Sequence, residues 1–370
     1  MDFRNPYYLQ IMARVKKNIK RILILGAAGP PGVNVVNSLR LTKEKLYLVG
    51  TDANKFHLEW PDLDKYYNIP SYHEVGYKES IKKIIAKEKI DFVHAQPDQE
   101  VSALSAMRDE LDVLVCLPKK EVIDILQDKL ESAIIWHKAG LHNFKTLEVN
   151  NGKDLKNAAK KIGLPIWMRA KTGAGARGAT LVENINTGVF WMKYWRARKS
   201  NWPFIVQPFL PGKEYAFQSL WFNGKLINSQ GRERIEYIFP HISPSGRTGT
   251  SAVTKTVHNK KLNVAATKSI LSVDPRPHGV YSVDLMEDKK GNITPTEING
   301  GRFFATTFFY SKAGLNQPYH MIKLTFGEKL PPQKKYNFLE KDLYWIRHID
   351  CPAVLVSEEK LKYKSAEIFK

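Results

Sequence analysis

Short apolar runs of strand length alternate with helix-spaced segments through the first third of the chain. RILIL (21–25), LYLVG (46–50), DFVH (91–94) and DVLVC (112–116) are runs of the kind a fully buried strand carries. Between them, residues 33–41, 77–89 and 99–110 place apolar side chains at helical spacing. Alternation of this kind predicts a parallel sheet wrapped by helices, so residues 20–118 are expected to form a small Rossmann-like α/β domain. Beyond a helix-rich connector that starts at Pro118, the rhythm changes. Strands at 144–149 and 164–170 flank a helix at 152–162, and ATLVEN (179–184), a helix at 189–199 and FIVQPF (204–209) follow. Then come long alternating strands at 214–222 and 225–238, joined at Gly224, a strand at 252–257, a helix at 262–273 and a hairpin at 279–302. Hairpin-linked strands with interspersed helices predict an antiparallel α+β unit over 119–330. Residues 1–19 read as a basic arm. YWIRHI (344–349) and CPAVLV (351–356) read as strands of a 331–370 extension that return to a sheet.

Composition narrows the picture only a little. A chain of 370 residues accommodates two or three domains. No apolar run approaches the roughly 18 residues of a membrane-spanning helix, and the N-terminus lacks the apolar core of a signal peptide. The two cysteines, Cys116 and Cys351, form no metal or redox motif, so a reducing cytoplasm is the expected location. Cys116, within VLVCL, is expected to be a buried thiol. A net charge of +20 favours anionic ligands. Its lysines are spread along helix faces without interleaved aromatics, which points to small molecules and away from nucleic acid.

Three stretches carry candidate chemistry. Gly26 to Gly32 turns a strand into a helix, and Asp52 falls where a ribose-binding acid would. The spacing is G-x-x-G-x-x-G, however, and Pro30 and Pro31 lack the N–H groups a pyrophosphate needs, so a tight structural turn is the expected use. Residues 169–180 are small, glycine-rich and basic. Gly173, Gly175 and Gly178 give a flexible hairpin loop whose N–H groups suit a triphosphate, with Arg169 and Lys171 offsetting its charge. Finally, GVYSVDLM and ITPTEIN form a hairpin around EDKKGN. A turn centred between Lys290 and Gly291 sets Asp284 opposite Glu297, with Asn299 two residues on and, by alternation, Ile293 and Pro295 on the same face as Glu297. Facing carboxylates repel unless a cation lies between them. Two carboxylates and an amide oxygen suit Mg2+. Arg232, Arg234 and Arg247, the basic residues between these features, are candidate contacts for a carboxylate or phosphate.

Together, the basic strand residue, the glycine loop, the L-x-G-x-E-Y strand start at Leu210 to Tyr215, the strand Asp and E-x-N resemble the ATP-grasp superfamily, and most closely its carbamoyl phosphate synthetase large-subunit-like members. The resemblance spans about 120–330, and the first domain is similar to the one that precedes ATP-grasp there. It implies ATP with Mg2+ (or Mn2+) and a carboxylate–amine (or carboxylate–thiol) ligase acting on small molecules, for which a homodimer is a compatible assembly. It also implies residue roles. Lys129 contacts nucleotide at the domain's entry, and Arg169 holds phosphates with help from Lys171. The loop Gly173 to Gly178 covers the triphosphate. Gln207 to Leu210 form the hinge, with Phe209 and Leu210 reading adenine. Glu214 binds ribose, and Asp284, Glu297 and Asn299 ligate the metal. Arg302 stabilises the transferring phosphoryl group. Where the family often reads N-P-R, this chain reads Asn299-Gly300-Gly301-Arg302, one residue longer. A nicotinamide-dependent oxidoreductase or epimerase built on the first domain is a rival reading, but it leaves the acidic hairpin without a use. A non-catalytic ATP-binding protein is another, though a mere binder need not keep the full D…E-x-N set.

Overall fold

The computed structural model describes residues 19–360 except Ala174, Pro244, Ser245 and Asp350. The expected basic arm therefore lies almost wholly outside the described residues. The first unit runs β1 (Lys20–Leu25), α1 (Pro30–Arg40), β2 (Leu46–Asp52), β3 (Lys65–Asn68), α2 (Tyr77–Glu88), β4 (Phe92–Ala95), α3 (Asp98–Met107) and β5 (Leu114–Val115). All pairings are parallel, in the order β3-β2-β1-β4-β5. β3 is the strand the sequence hides: KYYN is polar and mostly exposed at the sheet edge, so it lacks the apolar signature of its neighbours. α1 starts at its two prolines, whose missing N–H groups cost nothing in a first turn.

The connector forms α4 (Lys120–Gln127) and α5 (Lys129–Lys138). Asp128 ends one and caps the other, its carboxylate accepting from the Leu130 and Glu131 N–H groups. A four-stranded antiparallel sheet follows, built from β6 (Leu147–Val149), β7 (Ile166–Ala170), β8 (Thr180–Val182) and β9 (Phe204–Pro208) in the order β6-β9-β7-β8. Helices α6 (Gly152–Ile162) and α7 (Ile185–Ala197), capped by Asn151 and Asn184, cover one face.

The large sheet has seven antiparallel strands. They are β10 (Glu214–Phe222), β11 (Lys225–Tyr237), β12 (Ser251–Val257), β13 (Gly279–Glu287), β14 (Ile293–Gly300), β15 (Leu343–His348) and β16 (Cys351–Ser357), in the order β14-β13-β10-β11-β12-β15-β16. The strands expected in the C-terminal extension thus join this sheet at its β12 edge. Alternation sorts the two faces. Tyr215, Phe217, Val283, Leu285 and Ile298 pack with α4, α5 and α8 (Lys260–Val273). Glu214, Ala216, Ser282, Asp284, Glu297 and Asn299 point the other way, over a cleft roofed by the four-stranded sheet. After β14 the chain forms α9 (Thr307–Lys312) and α10 (Gln317–Thr325). Phe303, Met321, Ile322 and Phe326 pack there against Ile22, Ile24 and Phe92, so the parallel sheet and the large sheet share one core. Among the described residues, no helix is long and apolar enough to cross a membrane.

Candidate active site

The cleft between the two antiparallel sheets encloses about 220 Å³. Its walls bring together Lys129, Arg169, Gly173, Gly175, Gln207, Phe209, Leu210, Glu214, Arg234, Arg247, Asp284, Glu297, Asn299 and Arg302, which were scattered over 174 residues of sequence numbering.

The acidic hairpin has the expected pairing, but reaches it by another route. Asp284 is directly opposite Glu297, and Ser282 opposite Asn299. Nearer the turn, Leu285 pairs with Pro295 and Met286 with Thr294, so a bulge at Thr296 takes up one residue. The turn is therefore one residue shorter than expected. The bulge corrects the expected face: Thr294, not Ile293 or Pro295, shares the cleft side with Glu297.

Each acid in the cleft is held by a cation. Lys129, the first residue of α5, is aimed inward by the Asp128 cap; its ammonium donates to the Gly173 carbonyl at 2.6 Å and stands 3.4 Å from Glu297. Arg169 also reaches Glu297, at 3.4 Å, and donates to the Thr296 carbonyl at 2.6 Å. Arg234 bridges Glu214 and Asp284. Arg247 stands 3.5 Å from Glu214.

These pairings set the protonation states. Burial pushes Asp284 up; Arg234 offsets only part of that, and the Glu297 and Glu214 charges add to it, so the carboxyl reaches about 6. Burial would raise Glu297 too, but Lys129 and Arg169 hold it below the usual range. Glu214 is likewise kept low against its burial by Arg234 and Arg247. The Arg169 guanidinium is lowered by burial, and its Nε has no hydrogen-bond partner.

Arg302 lines the cleft despite the longer Gly-Gly spacer. β14 runs on through Gly300, and Gly301 then takes φ +84°, its N–H donating to the Val280 carbonyl at 2.8 Å. A side chain at Gly301 would press on Leu117 and Val101 at 2.9 and 3.0 Å. The turn sends Arg302 back to the Asn299 side-chain oxygen and onto both carboxylate oxygens of Asp98, at the start of α3. Asp98 carries no sequence signal for this role: an acid in a helix's first turn is ordinary. Only packing of the parallel sheet against the hairpin brings it in.

Two candidates are placed elsewhere. Lys171 does not line the cleft, because β7 ends at Ala170 and alternation ends with it; its ammonium pairs with Glu148 at 3.2 Å and Asp128 at 3.3 Å. Gly178 has φ +64° and sits against Trp202, where a Cβ would come within 2.7 Å, so its need for glycine arises from packing. Arg247 lies at the hinge end, with its guanidinium 5.3 Å from the Trp167 ring and 5.7 Å from that of Phe209. Trp167 escaped the sequence reading, although it precedes Arg169 by two residues on the same strand face. The Phe209 N–H, expected at the adenine edge, is engaged by the Pro165 carbonyl at 3.2 Å. In the first unit, the Gly26 turn is filled: a Cβ there would lie 2.3 Å from Pro97 and 2.8 Å from Glu100. Cys116 is a buried free thiol 3.6 Å from the His278 Nε2, and burial raises its thiol to about 12.

This architecture, with nucleotide-sized space between a small and a large antiparallel sheet behind a parallel α/β unit, is the ATP-grasp fold. The chain is similar to N5-carboxyaminoimidazole synthetase from Staphylococcus aureus, solved with ADP, at 16% identity and a TM-score of 0.67 over 88% of this chain and 82% of that one. It is similar to carboxyaminoimidazole ribonucleotide synthase from Aspergillus clavatus, solved with ATP, at 17% identity and a TM-score of 0.68 over 89% and 81%. L-amino acid ligase from Bacillus licheniformis matches at 14% identity and a TM-score of 0.64 over 88% and 78%. No protein-family profile and no curated protein sequence matches the chain.

Proposed function

We propose that the chain is an ATP-dependent ligase that activates a carboxylate as an acyl phosphate for attack by an amine or a thiol, releasing ADP and phosphate. The observation that supports this most is the facing pair Asp284 and Glu297, half-buried in the cleft and countered by Lys129, Arg169 and Arg234 from three different elements. Such an arrangement suits a site that exchanges these contacts for phosphate and metal. The similar proteins named above, two synthetases and a ligase, agree with the reading.

In this reading adenine lies at Gln207 to Leu210 beside Trp167, and ribose near Glu214. The loop from Gly173 lies over the phosphates. Lys129, which already donates to the Gly173 carbonyl of the loop, and Arg169 turn from Glu297 to phosphate oxygens. Asp284, Glu297 and Asn299 would hold Mg2+ or Mn2+. They fit it chemically: Asp284 and Glu297 face each other directly, and with the Asn299 amide they offer hard oxygens alone. Among the described residues no cluster of three or more His, Cys, Asp or Glu could hold a metal ion by itself. When bound, the metal withdraws charge from the phosphates.

The chain's own contribution is positioning and charge neutralisation. A substrate carboxylate oxygen attacks the γ-phosphorus, and the bond to ADP breaks. Arg302, braced by Asp98 and Asn299, faces the charge that develops there. The amine or thiol then attacks the acyl carbon, the bond to phosphate breaks, and the nucleophile loses its proton. No protein nucleophile is required. The test is phosphate release from MgATP over pools of carboxylates and amines. The expected result is ADP and phosphate dependent on an acceptor pair, reduced at least 100-fold by Asp284→Asn with Glu297→Gln. Release of AMP and pyrophosphate would overturn the reading.

A further inference from the structure

The cleft-facing side of the large sheet continues past Arg234, away from the acidic hairpin. Arg232 of β11 pairs in register with Thr256 of β12, and Thr254 pairs with Arg234 on one side and Trp345 of β15 on the other. Directly opposed residues share a face, so Arg232, Arg234, Thr254 and Trp345 all lie on this one, and Arg347 follows two residues on. The Phe304 ring, which lines the nucleotide cleft, lies 4.5 Å from the Arg232 guanidinium and 5.8 Å from that of Arg234. Phe304 thus stands between the cleft and Arg232.

Behind it, donors lack acceptors. Arg232 is 2% exposed, and neither its Nε nor its Nη1 has a hydrogen-bond partner. The same holds for the Trp345 Nε1, the Thr254 hydroxyl and the Thr306 hydroxyl, all buried. Arg347 donates from Nε to the Ser251 carbonyl at 3.0 Å. Burial, with the nearby Arg232 charge, lowers its guanidinium to about 10. Among the described residues no carboxylate pairs with Arg232 or Arg347, whereas Arg169, Arg234 and Arg302 each have one. Burying the Arg232 cation without a carboxylate is costly, and the charge of the half-buried Arg347 nearby adds to that cost.

We propose that Arg232, Arg347, Trp345 and Thr254 form an oxyanion pocket that receives a second anionic group of the carboxylate substrate. That the anion belongs to a substrate rests on the ligase reading above; the pocket itself does not. The indole and guanidinium groups only donate, so the pocket selects a carboxylate or phosphate and rejects an ammonium group. The substrate class is a dicarboxylate, or a carboxylate carrying a phosphate, with its reacting end toward Arg302 and its other end past Phe304. The C-terminal hairpin β15–β16 thereby gains a role in the site, since it supplies Trp345 and Arg347.

The test uses the full chain with glutarate, inorganic phosphate and the uncharged butyramide as probes, read by thermal unfolding and calorimetry. Glutarate or phosphate is expected to raise the unfolding temperature and butyramide to leave it unchanged. A stronger response to glutarate assigns a carboxylate and a stronger response to phosphate assigns a phosphate; both support the pocket. Arg232→Met should unfold at a higher temperature than the parent in anion-free buffer, because an unpaired buried charge is gone, and should bind the anion at least tenfold more weakly. Trp345→Phe keeps the ring stacked on Phe309 and should weaken the anion at least threefold; it carries the test if Arg232→Met does not fold. MgADP affinity should stay within twofold in both variants. Failure of the parent to bind MgADP would count against the nucleotide reading alone. No response of the parent to either dianion, or an undiminished response in Trp345→Phe, would overturn the pocket.

Discussion

Glu100 shows how much one buried side chain can say. It is 8% exposed under the Gly26 turn; burial, then the Asp52 charge, raises its carboxyl to about 8, with Tyr77 offsetting a part. The folded state therefore keeps a proton that the unfolded chain has lost. Its contribution is fully present below the ordinary value near 4.5 and is lost as pH rises to about 8. Stability should fall by up to about 1.4 kcal/mol per pH unit over that window. Glu100→Gln should flatten the profile in denaturant titrations between those limits. Asp98→Asn makes a separate prediction. It leaves Arg302 without its carboxylate, so turnover should drop at least tenfold, short of the roughly 100- to 1,000-fold that follows outright removal of a donor to a developing charge, while MgADP affinity is kept. An equal loss in both would place Asp98 in nucleotide binding instead. At this scale the sequence was most informative where chemistry repels itself, as at Asp284 and Glu297, and least where an ordinary surface residue is recruited from a distant segment, as at Asp98. Lys171 failed for a local reason: alternation holds only as far as the strand does.

Elements were legible wherever one face is apolar. The long strands of the large sheet alternate cleanly because α4, α5 and α8 cover one side and the cleft the other. β3, polar at a sheet edge, offered no such contrast. The hairpin β13–β14 had a readable register and a hidden bulge, since a one-residue bulge changes backbone geometry without a compositional mark. The Gly300-Gly301 step looked like a departure from a family pattern and is instead a conformational solution. Its two positions press on Leu126 and on Leu117 with Val101, and only glycine follows Gly301's φ of +84° at no strain. Gly301→Ala should cost about 1–3 kcal/mol in chemical denaturation from strain and crowding. It should also weaken turnover, because the same turn aims Arg302.

Across the whole molecule, the parallel sheet, the small sheet and the large sheet each read from periodicity, but their assembly did not. The cleft exists because α4 and α5 carry the chain from the first sheet to the second with Lys129 at their junction. Arg302 then returns from the large sheet to Asp98 of the first unit. Those contacts span up to 204 positions, beyond any spacing argument. The +20 net charge also takes shape at this scale. Among the described residues lining the cleft, six cations (Lys129, Arg169, Arg177, Arg234, Arg247 and Arg302) meet three acids (Asp284, Glu297 and Glu214), which leaves an excess suited to phosphates. The claim that matters most is that a carboxylate is activated by phosphoryl transfer. It is tested most directly by incubating the protein with MgATP, an amine and a carboxylate labelled with heavy oxygen, once the screen has found an acceptor pair. Acyl phosphate formation predicts one labelled oxygen in the released phosphate for each product formed. Unlabelled phosphate, or label found in AMP, would contradict it.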